Sequence, residues 1–406
     1  MLTRQGWLTG AAAVALVAAG RLFGIFELFV LGAAVAGVLV IAAGSVWATR
    51  LQLGVARRLD PPRVHAGSPA RVELHVTNES GRRTPVLRLH DPVTGTRGAS
   101  LLVAPVAPSA SVRAAYLLPT ERRGVLGVGP LRVTVADPFG LTASSLTTVG
   151  RSELVVYPRM DRITSLAPAP GRDSSSATRQ PNTLGRTGDD FYALRPYVIG
   201  DDLRRVHWPS TARHGELMIR QHELPTHERT TVVLDNRAAA HSAASFELAV
   251  SAAASVLNAA VQRADQVRLV TTSGLDSGFE VGRAQLEGCL LHLATAQIEP
   301  GASLHRSLEL LARKASGGTL VLVAAALAAS DLRRLSSLSL RFGRVVTVMF
   351  EPSSWDPSGV DQAAPGLSNL VRVTAGTPFA QAWNDRFGPP TASPTAAPLA
   401  AAAGAP

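Results

Sequence analysis

The chain has 406 residues, 46% of them hydrophobic and 17% charged, with a formal net charge of +10. That length supports two or three domains with sizeable cores, so no disulfide or metal staple is required. One Cys and 5% aromatic residues exclude a disulfide scaffold and a Cys-rich zinc or iron–sulfur protein.

Cys289 lies in an apolar helical run and reads as a small core residue. Lys314 is the one lysine among 40 basic residues, which marks a GC-rich coding bias. Residues 51–150 carry twelve Arg against six acids, whereas residues 151–406 hold 25 bases and 23 acids. The surplus thus follows the N-terminal apolar region. A segment beside an anionic membrane surface accounts for it better than a nucleic-acid interface.

Residues 6–20 (GWLTGAAAVALVAAG) are apolar and uncharged; after Arg21 and Glu27, residues 28–48 run 21 residues without a charge. At the helical rise the second run reaches about 31 Å, enough to cross a hydrocarbon core. The first reaches about 22 Å, which suffices once Arg21 snorkels and Leu22 and Phe23 extend it. Residues 1–50 are therefore read as a two-helix transmembrane hairpin. No small-x-small cleavage site precedes Arg21, which argues against a signal peptide. Arg4 precedes the first span, and Arg50, Arg57 and Arg58 follow the second. By the positive-inside rule both ends and the soluble part are cytoplasmic. The expectation is a multi-pass cell-membrane protein that touches membrane lipids and no nucleic acid.

Residues 51–158 show short alternating stretches, such as RVELHV and LRVTV, between Asn, Asp, Pro and Gly turn clusters. They predict a small antiparallel β-sandwich. Residues 159–184 read as a linker rich in Pro, Ser and Ala, and residues 388–406 as a disordered Pro/Ala-rich tail. Residues 228–387 alternate apolar strands with helical stretches at 282–296, 303–316 and 330–341. This pattern predicts a doubly wound α/β domain with a parallel sheet. Ligands of such sheets bind at the carboxyl ends of the strands, where Asp235 follows the first one. The fold class is thus α+β and multidomain.

Residues 185–227 are the densest stretch, nearly neutral, with charges interleaved among Phe191, Tyr192, Tyr197 and Trp208. A network of charge-assisted hydrogen bonds fits this composition. The run G-D-D-x-R-R-x-H-W-x-x-x-A-R comprises Gly200, Asp201, Asp202, Arg204, Arg205, His207, Trp208, Ala212 and Arg213. With the N-terminal hairpin and RRGVLGVGPLRVTVADPFGL at residues 122–141, it resembles the DUF58 proteins, a bacterial family of unknown biochemical function.

The resemblance implies a membrane-anchored partner of MoxR-type AAA+ ATPases, with a transglutaminase-like membrane protein as a further partner. It also implies that the α/β unit is similar to a von Willebrand factor A domain. That fold commonly binds Mg²⁺ through an Asp-x-Ser-x-Ser loop. Here the loop reads Asp235-Asn236-Arg237-Ala238-Ala239, which lacks both serines and carries a cation at its third position. A hard divalent ion wants oxygen ligands. The metal loop is therefore read as degenerate, with no metal or cofactor expected. The strand at 319–326 also ends without an acid.

Asp202, His207 and Ser210 can be written as a hydrolytic triad, but no glycine-framed nucleophile elbow surrounds Ser210, and Pro209 suggests a turn. His207, His214 and Asp201 are too few for a clear metal site. There is no Walker motif. The preferred reading assigns Asp201 and Asp202 to pairs with Arg204, Arg205 or Arg213, and Trp208 to a buried setting. The expected function is a non-enzymatic membrane adaptor that binds a protein partner. The alternative is a hydrolase or transferase using the cluster from Asp201 to Ser210.

Overall fold

The computed structural model describes residues 2–48, 52–168, 191–198, 203, 206–222, 228–314, 317–356, 358–361 and 366–389. The chain is mixed α+β, with an N-terminal pair of apolar helices followed by several sheets. Its contacts define two units, Met1–Arg159 with Leu293–Thr295, and Met160–His292 with Ala296–Pro406.

In the first unit, α1 (Arg4–Phe23) starts at Thr3, whose hydroxyl accepts the N–H of Gly6 (3.0 Å). It ends at Gly24 in the left-handed conformation, a stop that glycine adopts without penalty. After one more residue the chain returns as α2 (Phe26–Ala48). Gly20 lies on Phe29, Gly32 on Val17 and Gly10 on Leu39, which fixes an antiparallel register. A Cβ on Gly20 would stand 2.6 Å from the Phe29 nitrogen, so glycine is what lets the backbones approach. The outer faces carry exposed Leu8, Val14, Leu22, Phe23, Phe26, Val40 and Ile41. Both helices are long and apolar enough to span a membrane.

Ten strands follow: β1 (Leu53–Asp60), β2 (Arg63–His65), β3 (Arg71–Asn78), β4 (Leu87–Asp91), β5 (Ala99–Val103), β6 (Ser111–Leu117), β7 (Gly124–Val128), β8 (Leu131–Ala136), β9 (Ala143–Val149) and β10 (Ser152–Tyr157). They form three small sheets, β1-β3-β6, β5-β4-β8-β9 and β2-β10-β7. Strand alternation puts Val72, Leu74 and Val76 inside and Arg71, Glu73 and His75 outward. Leu87, Leu89, Val133, Leu154 and Val156 meet them in one core. The architecture departs from a purely antiparallel sandwich, because β2 pairs with β10 in parallel.

The three sheets share one buried ion network. Arg57 on β1 donates to Asp91 on β4 (2.8 Å), to the Ser152 hydroxyl on β10 (3.0 Å) and to the Gly150 carbonyl. Tyr116 on β6 donates to the other Asp91 oxygen (2.7 Å). The side chains of Arg57 and Asp91 are wholly buried. Burial and the Asp91 carboxylate push the Tyr116 hydroxyl pKa upward. This changes the reading of Arg57 as a membrane flank, since its charge is neutralised inside the domain. Arg58 stays exposed, and Arg50 lies outside the described residues.

The second unit begins with residues that composition assigns to a linker. Residues 160–168 instead lie along the α/β core, with Leu166 buried. The Trp383 indole N–H donates to the Thr164 carbonyl (2.8 Å), Thr164 N–H to Asn384 (2.8 Å) and Asp161 N–H to Ser255 (2.9 Å). A buried indole needs an acceptor, and this backbone supplies it. Residues 169–184 and the tail from 390 lie outside the described residues.

Next come β11 (Phe191–Pro196), α3 (Trp208–His214) and β12 (Met218–His222), with β11 antiparallel to β12. The main sheet is built from β13 (Arg229–Leu234), β14 (Gln266–Thr271), β15 (Glu280–Val281), β16 (Thr319–Ala324), β17 (Arg344–Phe350) and β18 (Leu370–Val373). Its order is β15-β14-β13-β16-β17-β18, all parallel except the short edge strand β15. Every residue of β16 is buried, as a strand covered on both faces requires.

The helices of this unit are α4 (Ala243–Gln262), α5 (Arg283–Thr295), α6 (Leu304–Lys314), α7 (Ala329–Leu338) and α8 (Phe379–Phe387). Leu304, Leu308 and Leu311 of α6 and Leu335 and Leu338 of α7 share a core with Val233, Leu320, Leu322 and Met349. Strand residues one step away, such as Val232 and Val321, project to the opposite face. There α4 packs on β13, β14 and β16. By length and apolarity α4 could also cross a membrane, yet its surface is buried against this sheet. Cys289 on α5 is fully buried, and burial raises its thiol pKa.

Candidate functional site

At the end of β13 the chain leaves the sheet through Asp235. Its N–H donates to the Val323 carbonyl of β16 (2.9 Å), and Thr272 N–H donates to the Leu234 carbonyl (3.1 Å). These bonds hold the Asp235 carboxylate at the carboxyl ends of three parallel strands, with no solvent exposure.

Arg237 folds back onto that carboxylate. Its Nε donates to one oxygen (2.9 Å) and its Nη2 to the other (2.7 Å), a two-pronged charge-assisted pair. Nη2 also donates to the Ala326 carbonyl beyond β16 (2.6 Å). The Arg237 N–H (3.2 Å) completes the shell of the first oxygen. The Asn236 side-chain oxygen accepts from the Thr272 hydroxyl (2.8 Å) and Ser273 N–H (3.0 Å), and its amide donates to the Gln297 carbonyl (2.9 Å). Buried Asp331, which accepts the Ala328 N–H at the start of α7 (3.0 Å), adds a second negative charge. Burial alone would lower the Arg237 pKa, but Asp235 and then Asp331 hold it raised.

The donor set does not fit a divalent cation. Both Asp235 oxygens face a fixed guanidinium, which sits among the oxygens that such an ion would need. Three contributors escaped the sequence reading. Thr272 directly follows β14, the Ala326 contribution is a backbone carbonyl, and Asp331 supplies the acid that β16 itself lacks. Asp331 stands seven residues past that strand, in the first turn of the next helix, where an acid reads as an ordinary cap.

Beside the loop, His241 is buried, with Nδ1 at 3.3 Å from the Ser245 hydroxyl and its ring against Phe246 and Phe350. Its Nε2 is buried without a hydrogen-bond partner. Burial, only partly opposed by Asp235, pushes its pKa down to about 4. His241 is therefore neutral at pH 7.

The hallmark segment is described in part. Gly200, Asp201, Asp202, Arg204 and Arg205 lie outside the described residues. Val206 bridges to Ile219, and the His207 N–H donates to the Met218 carbonyl (2.7 Å). Helix α3 opens at Trp208 with Pro209 in its first turn, where a missing N–H costs nothing, so Pro209 marks a helix start rather than a turn. Trp208 is 67% exposed, against the expectation of a buried ring. Ala212 and Arg213 are exposed on α3, as is His214. The structure brings His207 and Ser210 together, Nδ1 to Oγ, at 2.8 Å. Among the described residues no three His, Cys, Asp or Glu side chains converge as a metal site.

Residues 193–351 match the family described as "Protein of unknown function DUF58". The match supports the resemblance read from the hallmark. No curated protein matches. Solved structures give partial likenesses. One is to the CARDB domain of a Pyrococcus furiosus protein, at 19% identity, covering 26% of this chain and 93% of that one, with a TM-score of 0.22. Another is to the alkylpurine DNA glycosylase AlkC of Pseudomonas fluorescens, at 11% identity, covering 32% and 38%, with a TM-score of 0.19. Likeness this low says nothing of function.

Proposed function

We propose that the protein is a membrane-anchored, non-enzymatic adaptor whose second unit captures a protein partner through the hallmark segment. The observation that carries this reading is the exposure of Trp208, at 67%, in a stretch of sequence that also exposes Val198, Leu203 and Leu217. A large aromatic ring kept in solvent by a well-anchored backbone is the common anchor of protein interfaces. The DUF58 resemblance supplies the partner, a MoxR-type AAA+ ATPase.

Two further elements belong to the proposal. The second unit is a doubly wound, von Willebrand A-like domain, which the strand order of its main sheet favours. In it the Arg237–Asp235 pair replaces a bound metal. The two apolar helices cross the membrane with the rest of the chain in the cytoplasm.

Co-purification from native membranes tests the proposal. The full-length protein should retain the ATPase, and Trp208→Ala should lose it while melting at the same temperature. Retention of the ATPase by Trp208→Ala would remove the assigned surface. The enzymatic alternative is favoured by the 2.8 Å contact of His207 with Ser210. It requires Ser210→Ala to abolish function while partner capture and folding stay intact.

A further inference from the structure

The loop that joins β8 to β9, residues 137–142 with the sequence DPFGLT, ties the β-domain to both N-terminal helices. Thr3 N–H donates to the Leu141 carbonyl (2.9 Å), and the Thr3 hydroxyl to the Gly140 carbonyl (2.6 Å). From the other helix, the Ala42 carbonyl accepts the Thr142 hydroxyl (3.0 Å). Gly6 is required here, because a Cβ would stand 2.0 Å from the Leu141 oxygen. The loop thus sits at the start of α1 and the end of α2, the same end of the hairpin.

Depth follows from helix geometry. α1 has 20 residues, about 30 Å of helix, which is no more than the hydrocarbon thickness. If it spans, its first turn lies at one face of the bilayer, and the loop is bonded to that turn. Ala42 lies six residues before the end of α2, about 9 Å inside it. Trp7 and Trp47 are 69% and 81% exposed at this same end, where an aromatic belt would sit.

Most of the loop's own polar groups have partners. The Asp137 carboxylate accepts the N–H groups of Phe139 and Thr142, and the Gly140 N–H donates to the Asp137 carbonyl. Burial pushes the Asp137 carboxyl pKa up, yet these bonds together hold it below the ordinary value. What the loop leaves outward is the Phe139 ring, 67% exposed. A backbone closed on itself with an apolar tip suits a lipid environment, where unsatisfied polar groups are costly.

We infer that residues 137–142 are seated in the lipid headgroup region, with Phe139 as an interfacial anchor that holds the β-domain against the bilayer. The inference rests on the reading of α1 and α2 as spans. It is tested with full-length protein in phosphatidylcholine nanodiscs containing phosphatidylglycerol. Single cysteines carry an environment-sensitive fluorophore, and nitroxide lipids act as quenchers. Cys289 is fully buried and is replaced by alanine to leave no second thiol.

Phe139→Cys should emit blue-shifted light and be quenched by a shallow nitroxide at least threefold more than Arg151→Cys. Arg151 is exposed beyond the far end of the β8–β9 hairpin, about 20 Å away along the strands. Val38→Cys, in the middle of α2, reports whether the hairpin is inserted. Quenching at 38 with a water-like signal at 139 would overturn the loop's seating and leave the hairpin standing. A water-like signal at 38 would overturn the hairpin, and the loop assignment with it.

Discussion

A buried carboxylate answered by a guanidinium two residues away fixes the carboxyl end of the main sheet. Removing one partner of such a pair strands the other without water, at a cost of about 3–5 kcal/mol. Arg237→Ala should therefore lower the melting temperature of the second unit by several degrees. Adding Asp235→Asn should recover part of the loss; an unchanged melting temperature in Arg237→Ala would show that the pair is not structural. His241 makes a second prediction at this scale. Its folded pKa of about 4 lies below the ordinary 6.5, so the unfolded chain takes up its proton first as pH falls. Its neutral burial is fully favourable above about pH 6.5 and is lost between there and about pH 4, on the order of 3 kcal/mol. His241→Gln should flatten the pH dependence of stability in that window, as followed by thermal melts. A wild-type melting temperature that does not move between pH 7 and 4.5 would contradict it.

Between elements, the network of Arg57, Asp91, Tyr116 and Ser152 reaches all three small sheets from β1, β4, β6 and β10. Asp91→Asn should cost about 3–5 kcal/mol by leaving the buried Arg57 charge uncompensated. Tyr116→Phe should cost about 1.5–3 kcal/mol, as a single hydrogen bond to a charged group does. Denaturant titration of the β-domain signal checks both, and equal effects would contradict the assignment. The network also marks what was legible in the sequence. Strand β16 declares itself as a nearly unbroken apolar run, and β3 by its alternation. Arg57 does not, because a charge near a span reads as a flank until Asp91 is found 34 positions on. The segment 160–168 was hidden for a similar reason. Its hydrogen bonds are made chiefly by the backbone of Asp161 and Thr164, and composition carries no trace of them. At the candidate site, Asp235 was readable from its place after the first strand and Arg237 from the resemblance to a metal loop, whereas Thr272 and Asp331 join them only through the parallel order of the strands.

For the whole molecule, the proposed reading requires the chain that follows the two apolar helices to lie in the compartment of the ATPase partner. With Arg57 neutralised by Asp91, orientation rests on Arg4, Arg50 and Arg58 against Arg21, which Glu27 offsets. Alkaline phosphatase fused after Phe387 should be inactive in intact cells; activity there would invert the topology and separate the adaptor from its partner. The adaptor reading itself stands on Trp208. Truncating an interface anchor costs about 2–4 kcal/mol, or about thirty-fold to a thousand-fold in affinity. The direct measurement is the affinity of the full-length protein in nanodiscs for the MoxR-type ATPase proposed as its partner, by biolayer interferometry, with melting temperatures taken in parallel. Trp208→Ala should bind at least thirty-fold more weakly with an unchanged melting temperature, and Ser210→Ala should bind as the wild type. Equal affinity in wild type and Trp208→Ala would contradict the account.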